Sequence, residues 1–94
     1  RKGTGMRAVI SVIGKDRPGI LAYAANECAR RNINIEDVTQ KVLEDMFTMI
    51  MIVTIPDNAD DYHAFKNELE SSGEQQGLKI HVMHEDIFNA MHRI

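Results

Sequence analysis

The residues of this chain best suited to bind a small charged molecule lie in one stretch, Gly14 to Leu21, which reads Gly-Lys-Asp-Arg-Pro-Gly-Ile-Leu. Because an apolar run precedes it and helical apolar spacing follows, the stretch is predicted to join a strand to a helix. The backbone N–H groups and the dipole of a helix start favour an anion such as a carboxylate. Asp16 adds an acceptor for an ammonium group or for the helix N-terminus. The stretch therefore suits a free amino acid, or else it serves only as a cap.

Three further residues of this stretch have expected local roles. Pro18 is predicted in the first turn of the helix, where its missing N–H has no helical partner to lose. Lys15 and Arg17 either draw a carboxylate into the loop or are simply solvated. The sequence leaves both interpretations of these two cations open.

Length and charge restrict the class of protein. With 94 residues and a net charge of −3, the chain is predicted to be one small domain without the basic face that nucleic-acid binding requires. No apolar run approaches the roughly twenty residues of a membrane span, and there is no signal-peptide pattern. We therefore expect a cytoplasmic protein with neither nucleic acid nor membrane as a partner. Arg1 to Gly5 resemble an expression remnant, so the domain is taken as Met6 to Ile94.

The sulfur-containing residues are expected to be structural. The single cysteine, Cys28, excludes an internal disulfide and a C-x-x-C motif. It lies on the apolar side of the predicted first helix, where a cysteine behaves as a small hydrophobic residue. Met46, Met49 and Met51 are interpreted as core or interface residues rather than as ligand contacts.

Hydrophobic spacing along the chain predicts an alternation of strands and helices. The predicted strands span residues 7–13, 33–43, 46–55 and 78–83, and the predicted helices span 18–31, 59 to Gly73 or Gly77, and 85–92. This order predicts an α+β, ferredoxin-like βαββαβ sandwich: a four-stranded antiparallel sheet, two helices on one face and a short C-terminal helix. Right-handed crossovers place the first and third strands at the centre, which agrees with their apolar residues on both faces.

Three local features of the strands carry further predictions. The apolar alternation slips at Glu36-Asp37, which predicts a bulge in the second strand. Glu44-Asp45 is the predicted hairpin turn. The third strand is apolar on both faces, whereas the two long helices cover only one. We therefore expect the C-terminal helix and a second copy of the chain to cover the other face, so that the protein is a homodimer.

The order of elements and the motifs together resemble the ACT domain, a small amino-acid-sensing regulatory module. Gly14 to Leu21 resembles the family's loop after the first strand, and Asn32 to Val38 resembles its second signature, at the start of the second strand. The ending Ile87 to Met91 is similar to that of free-standing single-domain ACT proteins of bacteria and archaea. A more distant similarity is to the ACT domains of the glycine-cleavage repressor. The resemblance covers nearly the whole chain.

The resemblance implies a ligand site between two subunits, in which the loop of one faces the second strand of the other. Asp16 stands where serine-regulated phosphoglycerate dehydrogenase has an asparagine, and Asn34 matches that enzyme's asparagine at the strand start. Gly14 stands where the enzyme has a ligand-contacting histidine, so the resemblance does not indicate serine itself. The residues implied to bind a ligand are Gly14, Lys15, Asp16, Arg17, Pro18, Gly19, Ile20, Leu21, Asn34 and Ile35.

Catalytic and metal-binding alternatives find little support in the residues. His81 and His84 lie on opposite faces of a continuous strand, so with His92 they can hold one ion only if the strand has ended. Acylphosphatase shares the fold class, and Arg17 could mimic its phosphate-binding arginine. However, the third strand lacks the asparagine that such an enzyme needs on its central hairpin. We therefore predict no enzymatic activity, no metal and no cofactor.

The sequence thus predicts a small regulatory module that binds an amino acid or similar small carboxylate at a homodimer interface. Such a module acts on a regulated protein that the sequence does not identify. The alternative is a protein–protein interaction module without a small-molecule ligand. An acylphosphatase-like hydrolase is the remote alternative.

Overall fold

The computed structural model describes residues 5–56 and 59–91, which follow the predicted order of strands and helices. The elements are β1 (Met6–Lys15), α1 (Ile20–Ala29), β2 (Asn34–Leu43), β3 (Met46–Ile55), α2 (Ala59–Gln75), β4 (Leu78–His84) and α3 (Glu85–Met91). Residues 1–4 of the interpreted expression remnant and the predicted helix end at His92 lie outside the described residues.

The strands form one four-stranded sheet in the order β2-β3-β1-β4. β1 pairs antiparallel with both β3 and β4, and β2 pairs antiparallel with β3. Helices α1 and α2 contribute to the same core as the central strands, for example through Cys28 and Phe65. The ferredoxin-like α+β architecture is therefore confirmed, with the two strands that read as apolar on both faces at the centre of the sheet.

The core fills the space between the sheet and the two long helices, on the side that we term the helix face. Alternate residues of β3 point into it and are buried: Phe47, Met49, Met51, Val53 and Ile55. Met49 and Met51 are therefore core residues, in agreement with the prediction. Met46, by contrast, is 45% exposed and belongs to the surface.

The opposite side of the sheet, which we term the open face, carries the other alternate residues. Across the strands they form five rows: Leu43, Met46 and Lys15; Lys41, Thr48, Ile13 and Lys79; Thr39, Ile50, Ser11 and His81; Asp37, Ile52, Val9 and Met83; and Asn34, Thr54 and Arg7. Val9 is only 2% exposed although it lies outside the helix-face core, because α3 packs against β1 and β4. The C-terminal helix thus covers part of this face, as predicted.

The predicted bulge in β2 is confirmed by a shift of its register with β3 between Ile35 and Asp37. The extra residue turns Glu36 toward the open face, where its carboxylate accepts a hydrogen bond from the Thr54 hydroxyl. Arg7 Nη1 lies 3.6 Å from the Glu36 carboxylate, and Arg7 Nε lies 3.4 Å from Glu85 at the start of α3. The bulge therefore supplies one acid of a polar network that joins β1, β2, β3 and α3.

Left-handed backbone conformations decide where the long helices begin and end. Gly19 has φ 91°, and α1 begins only after it. Pro18 therefore precedes the helix, and its predicted place in the first helical turn is wrong. Gly77, with φ 78°, follows the end of α2. The other predicted terminator, Gly73, lies inside α2, where a Cβ would come within 2.5 Å of Ile80 Cδ1.

Side chains of α2 form hydrogen bonds with backbone groups on the outer edge of β4. The Val82 N–H donates to Glu70 Oε2 at 2.9 Å, and Lys66 Nζ donates to the Val82 carbonyl at 3.0 Å. Lys66 Nζ also donates to the same Glu70 carboxylate at 2.8 Å. Because both backbone groups of Val82 are occupied, this edge is closed to a further strand at that position.

The Glu70 carboxylate should make the fold sensitive to acid. Burial alone would raise its pKa, but the hydrogen bonds from Lys66 and Val82 outweigh burial and hold the pKa below 4.5. Its contribution to stability is therefore present at neutral pH and lost as the pH falls through that lowered pKa. We expect Glu70→Gln to lower the free energy of unfolding by about 1–2 kcal/mol at neutral pH and to reduce the acid-induced loss of stability.

Urea unfolding of wild type and variant from neutral pH to below the Glu70 pKa measures this effect. Glu74→Gln changes an exposed glutamate of the same helix and serves as the control, with an expected change of a few tenths of a kcal/mol, roughly the size for an exposed surface position. A Glu70→Gln protein that loses stability in acid as steeply as wild type would contradict the assignment.

The turn between β2 and β3 contains a residue in an unfavourable backbone conformation. Glu44 has φ 59°, a left-handed conformation that destabilises a non-glycine residue by roughly 1–2 kcal/mol. Glycine relieves this strain but loses more conformational freedom on folding. We therefore expect Glu44→Gly to raise the free energy of unfolding by roughly 0.5–1 kcal/mol, measured by urea denaturation. Asp45→Gly, at a neighbouring position without positive φ, is the control; an equal gain there would refute the strain interpretation.

Candidate functional site

The loop between β1 and α1 is held in place from two sides. The Asp16 N–H donates to the Asp45 carbonyl at 2.8 Å, which ties the loop to the β2–β3 hairpin. Arg17 Nη2 donates to the Gln76 carbonyl at 2.6 Å, which ties it to the turn between α2 and β4. The loop therefore has a defined position at the end of the sheet where β3 begins.

The start of α1 lies at this loop and has no side-chain cap. Of the two roles that the sequence left open for Asp16, the helix cap is excluded, because Gly19 occupies the N-cap position. The Asp16 side chain is exposed and has no hydrogen-bond or ion-pair partner among the described residues. An exposed carboxylate thus lies beside an uncapped helix N-terminus, and these groups suit the ammonium and the carboxylate of an amino acid, respectively.

The two cations of the loop have different roles in the structure. Lys15 is exposed at the end of β1, on the open face and opposite Met46. The Arg17 guanidinium donates a hydrogen bond to the Gln76 carbonyl, and this contact positions the loop. The sequence left open whether Arg17 attracts a carboxylate or is simply solvated. The structure shows neither role for Arg17, since its guanidinium contacts another part of the protein.

The small size of Gly14 has a packing explanation. The residue lies on the helix face opposite Leu78, and an added Cβ would come within 2.7 Å of Leu78 Cδ2. The same Cβ would lie 3.2 Å from the Gly77 carbonyl oxygen. A larger residue at position 14 would therefore require β4 to shift, so a ligand-contacting side chain is excluded by the packing of this sheet.

The structure brings together the predicted loop residues 14–21, but it separates them from Asn34 and Ile35. Lys15 pairs with Met46 at one end of β3, whereas Asn34 is opposite Thr54 at the other end. Eight residues of extended strand correspond to about 26 Å at roughly 3.3 Å per residue. A small ligand cannot contact both parts of the predicted site within one chain.

A cavity of about 260 Å³ that the sequence did not predict lies at the end of the molecule opposite the loop. Its lining includes Arg31, Ile33, Ile55, Pro56, Ala64, Phe65 and Glu68. The Arg31 guanidinium lies 5.5 Å from the centre of the Phe65 ring and donates to Glu68 Oε1 at 2.6 Å. It also donates to Glu27 Oε1 at 2.9 Å. The i, i+4 spacing of Glu27 and Arg31 is a sequence signal for a helical ion pair. That spacing gives no indication that the pair lies beside a cavity.

The charges beside the cavity neutralise one another. The hydrogen bonds from Arg30 and Arg31 hold the pKa of Glu27 below 4.5, so this carboxylate is ionised at neutral pH. The Arg31 guanidinium is therefore already shared between two carboxylates, Glu27 and Glu68. It helps to join α1 to α2 at this end.

The predicted histidine positions do not converge. His81 lies on the open face, whereas His84 lies on the helix face opposite Ala8 and accepts a hydrogen bond from the Asp86 N–H through Nδ1. Among the side chains that the structure describes, in residues 5–56 and 62–91, no group of three potential metal ligands is close enough to hold an ion. In that same part of the chain, no helix is both long enough and apolar enough to span a bilayer.

Comparison with known proteins agrees with this geometry. A family model of the ACT domain matches residues 7–83. A UPF0237 protein of Methanopyrus kandleri is 44% identical over 88 residues, which cover 94% of this chain and 98% of that protein. The structure of an ACT domain protein from Streptococcus pneumoniae has a TM-score of 0.76 and 37% identity, covering 88% of this chain and 93% of that one.

A putative glycine cleavage system transcriptional repressor has a TM-score of 0.75 at 22% identity, over 85% of this chain and 46% of that one, and so shares the fold. The fold and the loop therefore define a small ferredoxin-like α+β module. The chain belongs to the ACT domain family. The resemblance inferred from the loop and strand motifs, including that to free-standing proteins of this type, is confirmed.

The lone thiol should be chemically inert in the folded protein. Cys28 is fully buried, and burial raises the pKa of its thiol to about 11, so the reactive thiolate is scarce at neutral pH. We expect the native protein to react only slowly with Ellman's reagent. The protein unfolded in guanidinium chloride should release one equivalent of thionitrobenzoate per chain, since the sequence has one cysteine. Prompt reaction of the native protein would contradict the buried placement.

Proposed function

We propose that this ACT domain is a regulatory module that binds an amino acid or a similar small carboxylate at the boundary between two copies of the chain. The observation that carries the proposal is the separation of the two halves of the site by about 26 Å, at roughly 3.3 Å per residue of strand. The β1–α1 loop and Asn34 can contact one ligand only if they come from different copies. A homodimer supplies that arrangement with no change in the fold.

Each group of the proposed site has a distinct role. The backbone N–H groups of Arg17 to Ile20, at the uncapped start of α1, hold the ligand carboxylate. The exposed Asp16 carboxylate accepts hydrogen bonds from the ligand ammonium group. Pro18 and Gly19 let the backbone approach closely, and Leu21, which is 40% exposed, offers apolar contact. Asn34 and Ile35 of the second copy close the site.

Regulation follows from the shared site. A ligand that contacts both copies binds one arrangement of the dimer better than others and shifts the population toward it. A partner protein that recognises that arrangement then responds to the ligand concentration. The anchors of the loop at Asp45 and Gln76 make such coupling possible, because a displaced loop would move the hairpin and the α2–β4 turn.

The proposed role is not catalytic. The only thiol is buried with a raised pKa, and the loop arginine, the candidate for an acylphosphatase-like role, is engaged with the Gln76 carbonyl. We further propose a cytoplasmic location, in keeping with a metabolite sensor.

A second candidate function is a protein–protein interaction module without a small-molecule ligand. It is favoured by the large apolar side chains on the surface, above all Leu43 and Met91, each 64% exposed. Under this alternative the loop only connects β1 to α1, and the apolar surface binds a partner protein directly.

A thermal-shift screen of the twenty amino acids separates the two functions. A ligand at about a hundred times its dissociation constant stabilises the native state by about 2.7 kcal/mol, which raises the melting temperature of a domain of this size by roughly 10 °C or more. We expect a selective shift that Asp16→Ala abolishes, because the ammonium group of the ligand loses its acceptor.

Asp86→Ala is the matched control, because it removes the same charge from an exposed position on α3, far from the loop. It should leave the ligand-induced shift intact. A flat screen, or a shift that Asp16→Ala and Asp86→Ala leave equally unchanged, would reject the proposed site and favour the interaction module.

A further inference from the structure

The cavity at the end of the molecule opposite the β1–α1 loop combines apolar walls with one ion pair. Ile33, Ile55 and Phe65 line it and are buried. Arg31 and Glu68 are the charged residues of its described lining. Apolar walls with a few polar groups are typical of ligand pockets, which measure about 300–1,000 Å³ for drug-sized ligands. At about 260 Å³, this cavity suits a smaller molecule.

The Arg31 guanidinium is fixed by contacts that do not involve Glu68. Its Nη1 donates to the Glu27 carbonyl at 2.8 Å and to Glu27 Oε1 at 2.9 Å. Its central carbon lies 5.5 Å from the centre of the Phe65 ring, a distance at which a guanidinium is attracted to an aromatic ring. The Arg31 and Glu27 side chains are only 21% and 18% exposed. The cavity is therefore bordered by a cation with a defined position.

Glu68, by contrast, is a replaceable partner of that cation. Arg31 Nη2 donates to Glu68 Oε1 at 2.6 Å, and the Glu68 side chain is 61% exposed. Among the described residues, Arg31 is the only hydrogen-bond or ion-pair partner of Glu68. An exposed ion pair adds little to stability, because water solvates a freed carboxylate well. Another carboxylate can therefore take the place of Glu68 on Nη2 at little cost.

This difference in burial selects the charge of a ligand. A ligand carboxylate meets the fixed cation, Arg31, and has to displace only an exposed side chain. A ligand ammonium group could reach Glu68 only beside the Arg31 guanidinium, which repels it. The remaining wall of the cavity is apolar and gains from covering an apolar body.

We propose that this cavity binds a small monocarboxylate with a short, branched apolar body, whose carboxylate replaces that of Glu68 on Arg31 Nη2. The body of the ligand lies against Ile33 and Phe65, and the Glu68 side chain turns into solvent. Glu68 is thus an internal competitor that weakens binding. The site lies within one chain and needs no second copy, so it is separate from the shared site of the proposed function.

A titration with sodium 4-methylpentanoate at constant ionic strength, followed by heteronuclear NMR of the isotope-labelled protein, tests the proposal. We expect saturable shifts of the Arg31 and Phe65 amide signals, while those of Asp16 and Gly19 in the loop stay in place. Acetate lacks the apolar body, and leucine adds an ammonium group beside the carboxylate. Each should bind the cavity with a dissociation constant at least about tenfold higher. Leucine that shifts the cavity signals as tightly as 4-methylpentanoate overturns the ligand class.

Removal of the competing charge should strengthen binding. Glu68→Gln keeps the size of the side chain, and we expect it to lower the dissociation constant of 4-methylpentanoate roughly two- to fivefold. Glu74→Gln, at an exposed glutamate further along α2, changes the net charge equally and should leave the constant unchanged. A Glu68→Gln protein that binds no more tightly than Glu74→Gln overturns the replacement of Glu68 by the ligand.

Removal of the fixed cation should weaken binding. Arg31→Met keeps an unbranched side chain without the charge, so we expect the dissociation constant to rise at least about tenfold. Arg30→Met removes the same charge from the neighbouring arginine, whose side chain is 63% exposed, and is the matched control. Binding that Arg31→Met and Arg30→Met leave equally unchanged overturns the role of Arg31.

A third variant tests the cavity without removing a charge. Ala64→Leu adds an apolar side chain to the cavity lining from α2, and it should block 4-methylpentanoate. Ala22→Leu, at an exposed alanine of α1, is the control. Circular dichroism melting establishes that each variant is folded, and Ala64→Leu keeps the test decisive if Arg31→Met does not fold.

The results separate this inference from the proposed function. Saturable cavity shifts that Ala64→Leu abolishes and Glu68→Gln strengthens support the inference. Cavity signals that do not move in wild type or in Glu68→Gln overturn it, whatever the amino-acid screen shows. Binding of 4-methylpentanoate should persist in Asp16→Ala, the variant that abolishes the thermal shift expected for the loop site. Either site can therefore fail while the other stands.

Discussion

The burial of only one side of the sheet is the constraint on which the rest of this structure depends. Successive side chains of a strand point to opposite faces, so the two long helices can cover only half of the side chains of β1 and β3. Met49 and Met51 enter the core in this way, while Ile50 and Ile52 are left on the other side. The open face and its incomplete cover by α3 both follow from that division.

The same antiparallel sheet decides what the candidate site can be. Because β1 and β3 run in opposite directions, the loop after β1 lies beside the hairpin that starts β3, whereas β2 starts at the other end. Backbone carbonyls of Asp45 and Gln76 then hold the loop from two sides. In the proposed site, a ligand at this loop takes its remaining contacts from a second copy of the chain.

Local sequence patterns predicted much of the structure of this protein. The strand and helix order, the bulge before Asp37 and the burial of Cys28 were readable because each depends on residues that are close in sequence. The prediction failed at two glycines, one with a backbone conformation and one with a non-local contact that the local pattern does not reveal. Pro18 is not in the helix because Gly19 takes a left-handed conformation, and Gly73 does not end α2 because it packs against β4.

The sequence by itself determined the class of fold, the family and the residues of the loop, since apolar periodicity and short motifs encode these locally. Only the tertiary structure decided that Arg17 binds the Gln76 carbonyl, that Arg31 lies beside a cavity, and that the loop and Asn34 lie at opposite ends of one sheet. It also decided the arrangement of charges on the open face, because strand register places residues from four distant segments in one row. Register is set by packing across the whole core, and no single segment of the chain contains it.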